Sequence, residues 1–152
     1  MLRGIDPLIG PELLYTLASM GHADELVIVD RNFPAMSHHR RVHRLDGVDS
    51  VRAIEAVLSL MPLDTFIEHP LRCMQIPERP LGTNEVQRAA LSVARSATGR
   101  ELALTAVERN AFYSLTESAF AVLATGEDRP YGCFILTKGV LPEFGPYAPS
   151  MH

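Results

Sequence analysis

Four consecutive aliphatic residues, Leu26-Val27-Ile28-Val29, run without a polar interruption into Asp30. A strand with one wet face alternates apolar and polar residues, whereas an unbroken run belongs to a strand covered on both faces. Such a strand needs helices above and below it, and the flanking sequence provides them. Gly10-Pro11-Glu12 opens a helix, because Pro in the first turn lacks only an N–H that had no partner there. Leu13, Leu14, Leu17 and Met20 follow on one face, and Gly21 is placed to end the helix as its C′ residue. After a polar connection, Arg31–Arg41, the residues Val42–Leu45 predict a short strand. Asp49 or Ser50 caps a helix to about Leu60, with Val51, Ile54, Val57 and Leu58 inward and Pro62 as its stop. Leu71–Ile76 reads as a strand, and Pro77, Pro80 and Gly82 as a rigid loop. Thr83 or Asn84 caps the next helix, which runs to about Ala97 and closes at Gly99. Leu102–Val107, Phe120–Ala124 and a last run from Phe134 to Leu136 are strands, with a helix over Glu108–Ser118 between the first two. This alternation predicts an α/β fold: a single three-layer domain with a mostly parallel sheet and helices on both faces.

Length and charge narrow the function. A chain of 152 residues is the size of one domain. A hydrophobic fraction of 47% with 21% charged residues excludes an intrinsically disordered chain. The formal charge of −4 argues against a nucleic-acid partner, whose binding surface needs a basic footprint. Cys73 and Cys133 have no metal or redox spacing and read as reduced thiols, which predicts a cytoplasmic protein. Met1–Gly10 has no apolar core of a leader, and no apolar run is long enough for a membrane span, so no membrane partner is expected.

In open α/β sheets ligands bind at the carboxyl ends of the strands. Asp30, Glu108-Arg109 and the turn before Tyr131 all follow predicted strands and converge on one edge. There is no Gly-x-Gly-x-x-Gly, no Gly-Lys-Ser/Thr and no Gly-x-Ser-x-Gly, so dinucleotide, P-loop and nucleophile-elbow chemistry are unsupported. His22 is either a cation at a helix C-terminus or a general acid–base group titrating near neutrality. Asp30 alone reads as a loop-capping carboxylate, Arg109 as a solvated helix-start charge, and Tyr113 as a core aromatic with a wet hydroxyl. Ser37-His38-His39-Arg40-Arg41-Val42-His43-Arg44 offers His39 and His43 at i, i+4, but the segment runs into a strand and brings no further ligand. No metal is expected there. A solvated basic loop, a subunit contact and a phosphate-binding patch remain open readings.

Longer motifs decide among these. Pro-Glu-Leu-Leu at 11–14, Met-Gly-His-Ala-Asp-Glu at 20–25, Val-Asp at 29–30 and Asn-Phe-Pro-Ala at 32–35 resemble the opening of the RbsD/FucU family, the ribose pyranases and fucose mutarotases. Glu108-Arg109-Asn110-Ala111-Phe112-Tyr113 is similar to that family's Arg-x-Ala-Phe-Tyr segment. Ala124-Thr125-Gly126-Glu127, Tyr131-Gly132 and Lys138-Gly139-Val140 are similar to its closing motifs. The resemblance covers 1–142 as one sugar mutarotase domain and leaves 143–152 as an irregular tail. It implies an RbsD-like fold and a catalytic His22. It also implies substrate-binding roles for Asp30, Arg109, Tyr113, Tyr131, Gly132 and Cys133. Arg109 stands where the fucose branch has Arg and the ribose branch His. Cys133 departs from the usual Asn, and a thiol cannot replace both polar ends of an amide. Either only its backbone is used, or the sugar specificity differs.

The expected function is a cytoplasmic monosaccharide mutarotase, most readily of L-fucose, with no cofactor and no metal, in a homo-oligomer that the resemblance makes a decamer. The alternative is a non-catalytic sugar-binding protein linked to transport or regulation. In the first case His22 moves protons, Asp30 holds sugar hydroxyls or orients the imidazole, and Arg109 binds adjacent hydroxyls through its fork of donors.

Overall fold

The structure, a computed structural model, describes residues 1–149. In chain order the elements are α1 (Pro11–Ser19), β1 (Glu25–Val29), α2 (Ala35–His38), β2 (Val42–Leu45), α3 (Ser50–Leu58), β3 (Leu71–Met74), α4 (Glu85–Thr98), β4 (Thr105–Val107), α5 (Arg109–Ser118), β5 (Ala121–Thr125) and β6 (Phe134–Thr137). The six strands form one sheet in the order β2-β5-β1-β6-β3-β4. β2, β5 and β1 are parallel neighbours, as are β3 and β4, while β6 alone runs against both of its neighbours.

The apolar run of β1 is buried as its composition demands. All four residues are fully inaccessible. Leu26 and Ile28 pack on one side with Leu13 and Leu17 of α1, Ile54 and Val57 of α3 and Ala90 and Ala94 of α4. Val27 and Val29 pack on the other with Ala35 of α2 and Phe112 of α5. This gives the three layers of an α/β domain.

Two local expectations change. The helix α1 does not stop on a left-handed Gly21. It ends at Met20 in an extended conformation, the Met20 N–H bonding Thr16 O, and the left-handed residue is Ala23 at φ 71°. The turn before β1 therefore places its left-handed residue two positions after the glycine that the sequence offers. The connection Arg31–Arg41 also contains one helical turn, α2, too short to show a period. Elsewhere the caps act as read. Asp49 accepts from Arg52 N–H, and Asn84 and Gln87 close a full capping box on α4. Among the described residues no helix is long and apolar enough to cross a membrane.

Candidate active site

The carboxyl ends of β1, β4 and β5 lie on one edge of the sheet with the start of β6. Asp30 leaves β1 there in a tight turn, its Oδ1 accepting from Asn32 N–H at 3.0 Å and its carbonyl from Phe33 N–H at 3.3 Å. Burial pushes its carboxyl above the ordinary value, against the hydrogen bonds from Asn32, Cys133 and Phe33, and the negative charge of Glu127 adds to the rise. A groove of about 560 Å³ runs beside it, lined among others by Asp30, Phe33, Arg44, Thr125 and Gly126.

The turn after β5 is built on a buried acid. Glu127 accepts from Ser50 Oγ at 3.0 Å, from Arg129 Nε at 3.1 Å and Nη2 at 2.9 Å, and from Arg129 N–H at 3.2 Å. Burial pushes this carboxyl up, but the bonds from Arg129 and Ser50 and the charge of Arg129 outweigh it and hold the group below its usual range. Around this pair the chain folds back tightly. Tyr131 takes a left-handed φ of 59°, uncommon for a bulky residue. A Cβ on Gly132 would stand 2.7 Å from Glu127 Cγ. The first turn of α4 fastens the outside of the turn: Asn84 Nδ2 donates to Pro130 O at 2.8 Å, and Gln87 Nε2 to Tyr131 O at 3.2 Å and Met74 O at 2.9 Å.

Arg109 is the first residue of α5 and exposed. Its Nε donates to the Tyr113 hydroxyl at 3.2 Å, one helical turn on. The Tyr113 ring stacks on His38 with centroids 4.9 Å apart and lies 5.2 Å from Phe33, which is tied back to Asp30. Asp30, Arg109, Tyr113, Tyr131, Gly132 and Cys133 thus belong to one edge: a carboxylate, a guanidinium fork and two phenols. Cys133 is 2% exposed, and its Sγ accepts from Asp30 N–H at 3.5 Å. Its side chain faces inward, where burial pushes the thiol well above its usual value. It packs the floor beneath Asp30.

His22 is elsewhere. It precedes β1 while Asp30 follows it, and the five residues of β1 alone extend about 13 Å. At its own edge His22 Nε2 bonds Asp64 Oδ1 at 2.9 Å, and the ring lies 5.2 Å from Phe66. Within one protomer, Asp64 and not Asp30 orients the imidazole. The sequence marks Asp64 poorly. It lies between Pro62 and Pro70 in a stretch without helix or strand and meets His22 across 42 positions. Glu127 was legible only as part of a closing motif.

The three histidines of the basic loop go to three places. His38 stacks on Tyr113, His39 Nε2 meets Ala119 O at 2.8 Å, and His43 Nε2 meets Thr16 Oγ1 at 2.7 Å. Among the described residues no group of three potential ligands stands close enough to hold a metal ion.

A family model described as the RbsD / FucU transport protein family matches residues 3–141. An L-fucose mutarotase of Haemophilus influenzae is 42% identical over 142 residues, covering 93% of this chain and 99% of the relative. Among solved structures, FucU from Bifidobacterium longum superposes with a TM-score of 0.85 at 36% identity, covering 91% of this chain and 99% of the other. The fucose mutarotase of Streptococcus pneumoniae in complex with L-fucose superposes with a TM-score of 0.79 at 33% identity, covering 92% and 99%.

Proposed function

Since the chain belongs to the RbsD/FucU family, we propose that it is a monosaccharide mutarotase that interconverts the α and β anomers of L-fucose. The observation that carries the reading is a polar edge suited to a polyol in a chain so similar to L-fucose mutarotases. Asp30 accepts from sugar hydroxyls, the Arg109 fork donates to adjacent ones, and the rigid turn at Tyr131 and Gly132 closes over them. A half-buried carboxylate and an aromatic surface together suit a ring with a polar rim and apolar C–H faces.

Anomer exchange removes a proton from the anomeric hydroxyl and delivers one to the ring oxygen. The C1–O5 bond breaks, the aldehyde turns about C1–C2, and O5 attacks the other face of C1 as the protons return. Imidazole serves as acid and base near neutral pH, and His22 takes that role. Its distance from Asp30 bears on where the reaction runs. A sugar held at Asp30 is out of reach of the same protomer's His22, so a second copy supplies the imidazole and the site lies at a subunit boundary. The assembly is a homo-oligomer, and the family resemblance makes it a decamer. The buried thiols of Cys73 and Cys133 fit a reducing cytoplasm.

Saturation-transfer NMR on the anomeric proton of L-fucose tests the reading. Added protein is expected to speed magnetisation exchange between the anomers in proportion to its concentration. Binding without acceleration would make the chain a non-catalytic sugar-binding protein.

A further inference from the structure

Asp64 is 2% exposed, whereas the His22 side chain that it meets is 43% exposed. A carboxylate that far from water persists only where it is hydrogen-bonded or paired. Its Oδ1 accepts from His22 Nε2 at 2.9 Å and from Phe66 N–H at 3.3 Å. The loop around it is fixed on several sides. Asp64 N–H donates to Thr137 O at 2.9 Å, hooking the loop to the end of β6. Nearly buried Arg100 donates through Nη1 to the Asp64 carbonyl and through Nη2 to Ile67 O at 3.1 Å. Beneath, Gly139 admits the loop so closely that a Cβ there would stand 2.7 Å from Leu63 O and 2.9 Å from Asp64 Cα.

We propose that Asp64 is a positioning residue for anomer exchange. Its carboxylate fixes His22 as the Nε2–H tautomer, leaves Nδ1 as the atom that exchanges protons with the sugar, and stabilises the imidazolium formed when the anomeric proton is taken. The inference rests on the reading of His22 as the acid–base group. A carboxylate only accepts hydrogen bonds, so the ring nitrogen against it carries the hydrogen, and a neutral imidazole then keeps its lone pair on the other nitrogen. The other charged groups of this edge are engaged elsewhere: Lys138 Nζ donates to Leu17 O at 2.8 Å and Met20 O at 2.6 Å, Asp24 Oδ2 accepts from Gly21 N–H at 2.7 Å, Arg100 holds the loop carbonyls, and Glu25 pairs with Arg72. Asp64 is left as the carboxylate that touches the ring.

The test combines ¹⁵N NMR of the imidazole with exchange kinetics on L-fucose. In the wild-type protein, at a pH where the ring is neutral, His22 is expected to show the Nε2–H pattern; a dominant Nδ1–H form would overturn the proposal. This arm needs no variant and stands even if Asp64→Asn folds poorly. In Asp64→Asn the amide presents N–H as well as carbonyl, so the tautomer is no longer imposed. The expected result is a kcat lower by roughly 10²–10⁴ with little change in KM. Asp64→Glu should recover part of the rate, and Asp64→Asn combined with His22→Ala should be no slower than His22→Ala alone. An Asp64→Asn variant with wild-type kcat, or one altered in KM alone, would contradict the proposal. Slow exchange in His22→Ala beside fast exchange in Asp64→Asn removes Asp64 only, whereas wild-type exchange in His22→Ala removes the reading of His22 itself.

Discussion

Asp30 is held where ionisation is unfavourable, and this separates its part in binding from its part in folding. Its carboxyl lies above the ordinary carboxylate value in the folded protein, chiefly through burial. The unfolded chain therefore ionises first as pH rises, and folding stability is lost through the window from the ordinary value up to the folded one. Above the folded value that loss is complete. Asp30→Asn keeps an acceptor for Asn32 N–H and removes the charge, so it is expected to raise Tm at pH 7 while weakening L-fucose binding. The gain should fade as pH falls below the folded value toward the ordinary one. Thermal melts at several pH values beside sugar titrations check both signs. Cys133 gives the complementary case. Its thiol meets Asp30 N–H from inside, so Cys133→Ala leaves that part-buried donor without an acceptor and costs about 1 kcal/mol of stability. KM for L-fucose should stay near wild type, and a large rise would place the thiol in the pocket. Arg109 is exposed at the start of α5 and supports nothing in the core. Arg109→Ala should weaken L-fucose binding at an unchanged Tm.

At the scale of elements, the N-terminus of α4 acts as a clamp on the site. Gln87 is fully buried and donates to the carbonyls of both Met74 and Tyr131. Gln87→Leu strips two buried carbonyls of a donor, and a loss of about 1–3 kcal/mol is expected in denaturant unfolding, with a raised KM as the Tyr131 turn loosens. Helix α4 was legible in the sequence, cap and stop included, because its signals are local: Asn84 with Gln87 three residues on, and Gly99 at its end. The same holds for β1, whose double-sided burial is written in its composition. What the helix fastens was not legible, because Gln87 meets Tyr131 across 44 positions and no periodicity reports such a contact. Asp64 is illegible for the same reason, and α2 because one turn carries no period. Strands β3 and β4 are shorter than the apolar runs Leu71–Ile76 and Leu102–Val107. Ile76 and Leu102 are buried outside the ladder, and hydrophobicity records burial rather than pairing.

At the scale of the molecule, the sheet separates the two halves of the site. The proposed binding residues gather where the parallel strands end, and the imidazole stands where β1 begins, beside the exposed aromatic rings of Phe66 and Phe144. The family resemblance named these residues, but sequence distance between His22 and Asp30 says nothing of the strand that keeps them apart. On the proposed reading the site needs residues from two copies, so light scattering at micromolar concentration should give a mass several times the monomer's. The most direct test is complementation between two impaired variants. His22→Ala subunits keep Asp30, and Asp30→Asn subunits keep His22. Each alone should exchange L-fucose anomers slowly in saturation-transfer NMR. After equal amounts are mixed and allowed to exchange subunits, about a quarter of the wild-type rate is expected, because random assembly seats both intact side chains in that fraction of heterologous interfaces. A mixture no faster than its two components, with subunit exchange verified, would contradict a site shared between copies.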